Sequence, residues 1–337
     1  MKKFFIWLFG IILTVCLIVV IAFQVSVKPG LYIFSSVFNG EVEIQNKTKF
    51  EQANQSVTAI KNLKYTSKYQ SNTFDIYYPK NTTGKVPVIF WAHGGGYIGG
   101  DKVSIEEFAN YLVSETNVAV IAMNYQVAPA LKYPGQVEQM NELYQYVAKS
   151  TKKYPMLDLT QIFWGGDSAG AQIAGQYVAI QTNPSYAEAM NFKPEIENDY
   201  LKGFISYCGP LDLKQVTEKQ SDQLMMKLFI RTVAWSLTGK RNWQDSPKIE
   251  EISLVDKLTK DFPPTYITDG NNFSFQEQGI DFSNQLEKLK VPVTGLFYNQ
   301  QKKEINHEYQ FNYSTDEALN CLNQTIEFIH QQLAINN

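Results

Sequence analysis

Cysteine, histidine and charge of one sign are all scarce in this 337-residue chain, and each shortage closes off a class of function. The three cysteines, Cys16, Cys208 and Cys321, form no CxxC pair and no zinc-binding spacing. Cys16 falls inside an N-terminal apolar run, so at most one disulfide could close in a folded domain. Cys208 and Cys321 read as buried thiols that behave as small hydrophobes. The spacing implies no metal site. Thirty basic and 33 acidic side chains leave a net charge of −3. They are scattered, without a basic stripe or an acidic tail, which argues against nucleic acid as a partner. Internal repeats and low-complexity tracts are also missing, and nothing speaks to oligomeric state.

Apolar and aromatic residues are plentiful, at 44% and 14%. That suffices for one large core in a domain of roughly 250–300 residues behind an N-terminal segment. The aromatics suit either a Tyr- and Phe-rich core or a pocket for an apolar ligand. Lys2 and Lys3 precede an uncharged run from Phe4 to Phe23. As a helix, such a run spans about 30 Å, the thickness of a bilayer core. It exceeds the roughly 7–15 residues of a secretory h-region and ends Ile21-Ala22-Phe23-Gln24, a poor cleavage site. Residues 1–27 therefore read as an uncleaved signal anchor, with a cleaved signal peptide as the alternative. The two lysines on the short side orient the N-terminus to the cytoplasm and the rest of the chain outward, with Lys28 opposing.

Residues 28–60 are polar and poorly patterned and read as a stalk, with a helix over Glu51–Lys61. From 61 to 337 strands and helices alternate. Leu63–Gln70 and Thr73–Tyr78 read as a strand pair. Apolar strands follow at Val86–Trp91, Val118–Met123, Gln161–Trp164, Leu201–Tyr207, Thr265–Thr268 and Val293–Tyr298. Helical periodicity lies over Ser104–Glu115, Pro134–Lys149, Ser168–Thr182, Glu277–Lys290 and Thr315–Leu333. This order predicts an α/β fold with a mostly parallel sheet covered on both faces. Asp222–Gly239 interrupts it as a strongly apolar helix. An insertion there, over about 213–250, reads either as a small helical cap or as a helix packed on the core.

Two motifs carry chemistry. Gly166-Asp167-Ser168-Ala169-Gly170 is a G-x-S-x-G elbow, whose glycines permit a sharp strand-to-helix turn that lifts the serine hydroxyl out of the sheet. The apolar strand before it and the small residues Ala171, Ala174 and Gly175 after it supply the context the motif needs. His93-Gly94-Gly95-Gly96 follows a strand, and its backbone N–H groups can converge on a developing oxyanion. The expected donors are Gly94, Gly95 and Ala169. Asp167 reads as a support for the elbow, and Trp91 and Tyr97 as either acyl-pocket lining or core.

With Tyr125-Gln126-Val127-Ala128-Pro129 and Tyr133-Pro134, these motifs resemble the hormone-sensitive-lipase-like α/β-hydrolases, which include many bacterial carboxylesterases. The resemblance covers about 86–180 and extends plausibly from 63 onward. It implies the α/β-hydrolase fold with a cap, and cleavage of carboxylic esters, small-molecule or lipid, without a cofactor. It makes His93 structural. His330 lies in the last helix. His307, in a loop after the last strand, is the expected base, and His307–Phe311 resembles the family's His-x-Phe neighbourhood. The acid departs from the pattern, because an ungapped match puts Phe273 where the family has aspartate. Asp269 at the strand end is the first candidate, Glu277 the second and Asp212 the third, and Asn271 or Asn272 could also orient a histidine. A serine acyl-enzyme mechanism follows from these residues. The alternatives are a peptidase or acyltransferase acting on an envelope substrate, and a non-catalytic ligand-binding homologue.

Overall fold

The computed structural model describes residues 1–218, 224–298 and 302–334. Helix α1 (Lys2–Val25) buries no side chain, and by length and composition it could cross a membrane. Helices α2 (Lys28–Phe38) and α3 (Lys47–Asn54) lead to strands β1 (Val57–Lys64), β2 (Thr73–Pro79) and β3 (Val86–Ala92). Then come α4 (Glu106–Thr116), β4 (Ala119–Met123), α5 (Gly135–Lys149), β5 (Leu157–Asp167), α6 (Ala169–Thr182) and the short α7 (Pro184–Ala189). After β6 (Leu201–Tyr207) the chain makes α8 (Leu213–Glu218), α9 (Leu224–Thr238) and α10 (Pro247–Ile252). It finishes with β7 (Thr265–Asp269), α11 (Gln276–Lys288), β8 (Val293–Phe297) and α12 (Asp316–Ala334). Asp222, the expected start of the cap helix, and the last residues of the 61–337 domain lie outside the described residues.

The eight strands form one sheet in the order β1-β2-β4-β3-β5-β6-β7-β8. The β1–β2 and β2–β4 pairs are antiparallel and the rest are parallel. Period-2 geometry sends alternate side chains to opposite faces. In β3, Val88 and Phe90 enter one core while Ile89 and Trp91 enter the other. The first core is closed by Met140 and Leu143 of α5, Ile173 and Tyr177 of α6, and Phe282 and Leu286 of α11. Phe108 and Leu112 of α4 close the second, with Cys321, Leu322 and Ile329 of α12. Phe90 stacks on Trp164 with ring centroids 4.4 Å apart. Each such fully buried large side chain contributes about 1.5–3 kcal/mol, so the two cores dominate stability.

Two element boundaries are corrected. Within 28–60, α2 packs on α9, where Phe34 and Phe38 flank the ring of Phe229 at 5.3 and 6.0 Å. The second helix of this segment lies at Lys47–Asn54, where the Asn46 side chain accepts from Lys49 N and so caps it, and not at Glu51–Lys61. The strand expected over Leu63–Gln70 lies earlier, at Val57–Lys64. There Asn62, at φ 58°, makes a bulge whose N–H donates to Asp75. Parallel pairing has one functional consequence. Ala92 pairs with Gly166, Asp167 with Tyr207 and Asp269 with Phe297, so the C-terminal ends of these strands share one edge. Open α/β sheets bind ligands at that edge.

Candidate active site

β5 ends at Asp167 and α6 begins at Ala169, so Ser168 alone makes the turn, at φ 48° and ψ −118°. A non-glycine residue there is strained, and the surroundings must hold it. A Cβ on Gly166 would collide with the backbone of Gly170, and one on Gly170 with the carbonyl of Ala92, so both flanking glycines are required by close approach. Ser168 N–H donates to Tyr207 O at 2.8 Å, tying the turn to β6.

Ser168 Oγ lies 2.9 Å from His307 Nε2. His307 Nδ1 lies 3.5 Å from Asp269 Oδ1, an ion-pair distance longer than a full hydrogen bond. Backbone N–H groups of Gly270 and Phe275 each donate to the Asp269 carboxylate at 2.7 Å and fix its plane. Burial works against a charged imidazole. The Asp269 carboxylate, with Glu308 and Asp167 further off, outweighs it and raises His307 above the ordinary histidine value. Cys208 packs beside Asp269 and His307, and burial pushes its thiol well up, so it stays neutral.

Of the other acid candidates, Glu277 is exposed on α11. Asp212 accepts from Lys214 N at the start of α8. Asn271 and Asn272 do not face the imidazole; they latch the loop that carries it. Asn271 Oδ1 accepts from Ile305 N at 2.8 Å, its Nδ2 donates to the carbonyls of Tyr298 and Lys303 at 3.0 Å, and Asn272 O accepts from His307 N at 3.0 Å. His93 is buried with its ring stacked on Tyr125 at 4.4 Å, and burial lowers it to about 4, so it stays neutral. His330 is exposed on α12.

Gly94 departs from expectation. Its N–H donates to Asp167 Oδ2 at 2.6 Å, while Trp91 Nε1 donates to Oδ1 at 2.7 Å. Asp167 thus clamps the glycine loop from beneath. Burial, only partly offset by these two donors, pushes its carboxyl up to about 6. Among the described residues the N–H groups of Gly95, Gly96 and Ala169 have no protein acceptor, and all three residues line the cavity around Ser168. Ala169 opens α6, where helix geometry leaves N–H groups unpaired and the dipole favours negative charge.

Comparison with known proteins agrees with this architecture. A family profile described as alpha/beta hydrolase fold matches residues 89–307. The chain belongs to the alpha/beta hydrolases. A carboxylesterase family profile also matches residues 42–130. An esterase of Gibberella moniliformis is 26% identical over 256 residues, covering 74% of this chain and 76% of the relative. Esterase B of Lactobacillus rhamnosis superposes with a TM-score of 0.67 at 20% identity, over 86% of this chain and 94% of that one. A bacterial heroin esterase gives 0.67 at 18% identity, over 90% and 97%. The hydrolase is an enzyme of the carboxylesterase and lipase type.

The site of this hydrolase opens into a cavity of about 370 Å³ with a mostly apolar wall. Ile230, Val233 and Leu237 of α9, Trp243 beyond it, and Val37 and Phe38 of α2 contribute to that wall. Phe273, at φ 50° and exposed, stands at its rim. Tyr97 lines the cavity and donates from its hydroxyl to Gln172 Oε1 at 3.0 Å, whereas Trp91 lies wholly in the core. Sequence reasoning missed two participants. Phe38 carries no local signal of a pocket role, since its neighbour Phe229 lies far along the chain. Glu308, at φ 63°, faces the cavity with Oε1 4.0 Å from His307 Nε2. Enclosure, then the Asp167 charge, pushes its carboxyl up to about 8.

Proposed function

We propose that this enzyme is a serine esterase of the hormone-sensitive-lipase-like branch, held at a membrane by an uncleaved N-terminal anchor. The observation that carries the reading is the 2.9 Å separation of Ser168 Oγ and His307 Nε2 at the strained elbow. Ser168 attacks the ester carbonyl while His307 takes its proton, and Asp269 orients the imidazole and favours its charged form. The N–H groups of Gly95 and Ala169, with Gly96 beside them, receive the oxyanion, while Gly94 stiffens the loop through Asp167. Removing one oxyanion donor costs roughly 3–4 kcal/mol of barrier. His307 then protonates the leaving alcohol, and water releases the acid from Ser168.

Residues 1–27 serve as the anchor in this reading, and the segment over about 213–250 as the cap. Lys2 and Lys3 hold the N-terminus in the cytoplasm, which puts the esterase domain on the outer side. Substitution Ser168→Ala tests the chemistry. Turnover of short p-nitrophenyl esters and labelling by a fluorophosphonate probe should both vanish with the fold intact. Hydrolysis at an unchanged rate would remove Ser168 from its role.

A further inference from the structure

Only two of the 30 basic residues are arginines, Arg231 and Arg241, and both aim at one oxygen. Their Nη2 atoms each lie 3.0 Å from Gln24 Oε1, at the last turn of α1. Together with Lys227 they line a second cavity of about 330 Å³. Val216, Ile230 and Trp243 line both this cavity and the one that holds Ser168, so the wall between them is one side chain thick. Among the described residues neither guanidinium has a carboxylate partner, and partial burial followed by the Arg241 charge lowers Arg231 below the usual guanidinium range. Two forked cations converging on the partial charge of an amide oxygen suit the full charge of a phosphate.

The surroundings name the source of that phosphate. α2 starts within three residues of the end of α1 and runs for about 16 Å before Val37 and Phe38 enter the Ser168 cavity. Tyr32, Ile33 and Val37 on α2, and Leu224 and Met225 at the start of α9, are large apolar side chains left exposed. An apolar rim and a cationic seat at the foot of a membrane helix match the two layers of a lipid surface.

We propose that Arg231 and Arg241, with Lys227 beside them, seat the phosphate of an anionic membrane phospholipid, whose headgroup brings no choline cation into that cationic seat, and that the enzyme takes its ester substrate from the bilayer on which α2 and the start of α9 rest. The inference rests on Ser168 as nucleophile and α1 as anchor. The step balances as an ordinary hydrolysis. Ser168 Oγ bonds to the acyl carbon and the ester C–O bond breaks. The lysolipid alcohol leaves with the proton carried by His307, and water then frees the fatty acid.

The test uses the full chain reconstituted in vesicles of phosphatidylglycerol or phosphatidylcholine. Fatty-acid release is divided by p-nitrophenyl butyrate turnover in the same preparation, so a poorly folded variant scales both and leaves the ratio alone. The wild type should favour phosphatidylglycerol. R231Q/R241Q should lose that preference, with the ratio on phosphatidylglycerol falling on the order of 10- to 30-fold, and R231K/R241K should keep most of it. Equal release from both lipids, a preference that survives R231Q/R241Q, or p-nitrophenyl butyrate turnover with no lipid cleaved would each overturn the inference. Failure on p-nitrophenyl butyrate as well would overturn the ester-hydrolase reading beneath it.

Discussion

At the scale of single residues, the chemistry turns on how three carboxyl groups share one imidazole. Asp269 is the nearest, at 3.5 Å from Nδ1, and its plane is fixed by two backbone donors. Asp167 adds charge from further off, and Glu308, pushed up to about 8, adds its own only as it ionises. In the proposed mechanism His307 must be neutral to accept the Ser168 proton, and its value is raised. The acid limb of kcat/KM should therefore lie above the ordinary histidine value of about 6.5. Asp269→Asn removes the largest support of the charged form and leaves burial, which acts the other way. The limb should then shift toward acid pH while kcat falls by roughly 10⁴-fold. A pH profile of p-nitrophenyl butyrate hydrolysis reads both, and an alkaline shift would contradict the assignment of Asp269.

At the scale of elements, the site depends on how the loop after β8 is docked on the end of β7. Asn271 makes three hydrogen bonds across that gap, to Ile305, Tyr298 and Lys303. Gly270 lies so close to the loop backbone that a Cβ would collide with Ile305 O. Asn271→Ala strands buried or half-buried backbone groups at a cost of about 1–3 kcal/mol. It should lower Tm by several degrees. It should also lower kcat more than it raises KM, because it displaces His307 and leaves the apolar cavity whole. A change confined to KM would show that the latch does not position the imidazole.

At the scale of the molecule, α1 and the catalytic edge of the sheet lie at opposite ends of α2. As the proposed anchor, the 24-residue α1 should hold the full chain in the membrane pellet through an alkaline carbonate wash. Deletion of Lys2–Val25 should release the domain to the supernatant. Full-length chain found in the supernatant, or shortened to a start near residue 28 in the mature protein, would replace the anchor with a cleaved signal.

Much of the fold was legible because its signals are local. Apolar strands alternate with amphipathic helices, and the elbow glycines sit within five residues of one another. Ser168 and His307 could be nominated from a motif and from the scarcity of histidine. Asp269 could be ranked first for its place at a strand end but not singled out from Glu277 and Asp212, and three further features were not legible at all, for one reason. Asn271 on the loop of Ile305, the Gly94 N–H taken by Asp167, and Phe38 against Phe229 each pair groups separated by tens to nearly two hundred residues. Local propensity and periodicity report what a segment prefers. Which carboxyl meets an imidazole, and which side chain closes a cavity, is settled only when sheet register and helix packing bring distant segments within contact distance.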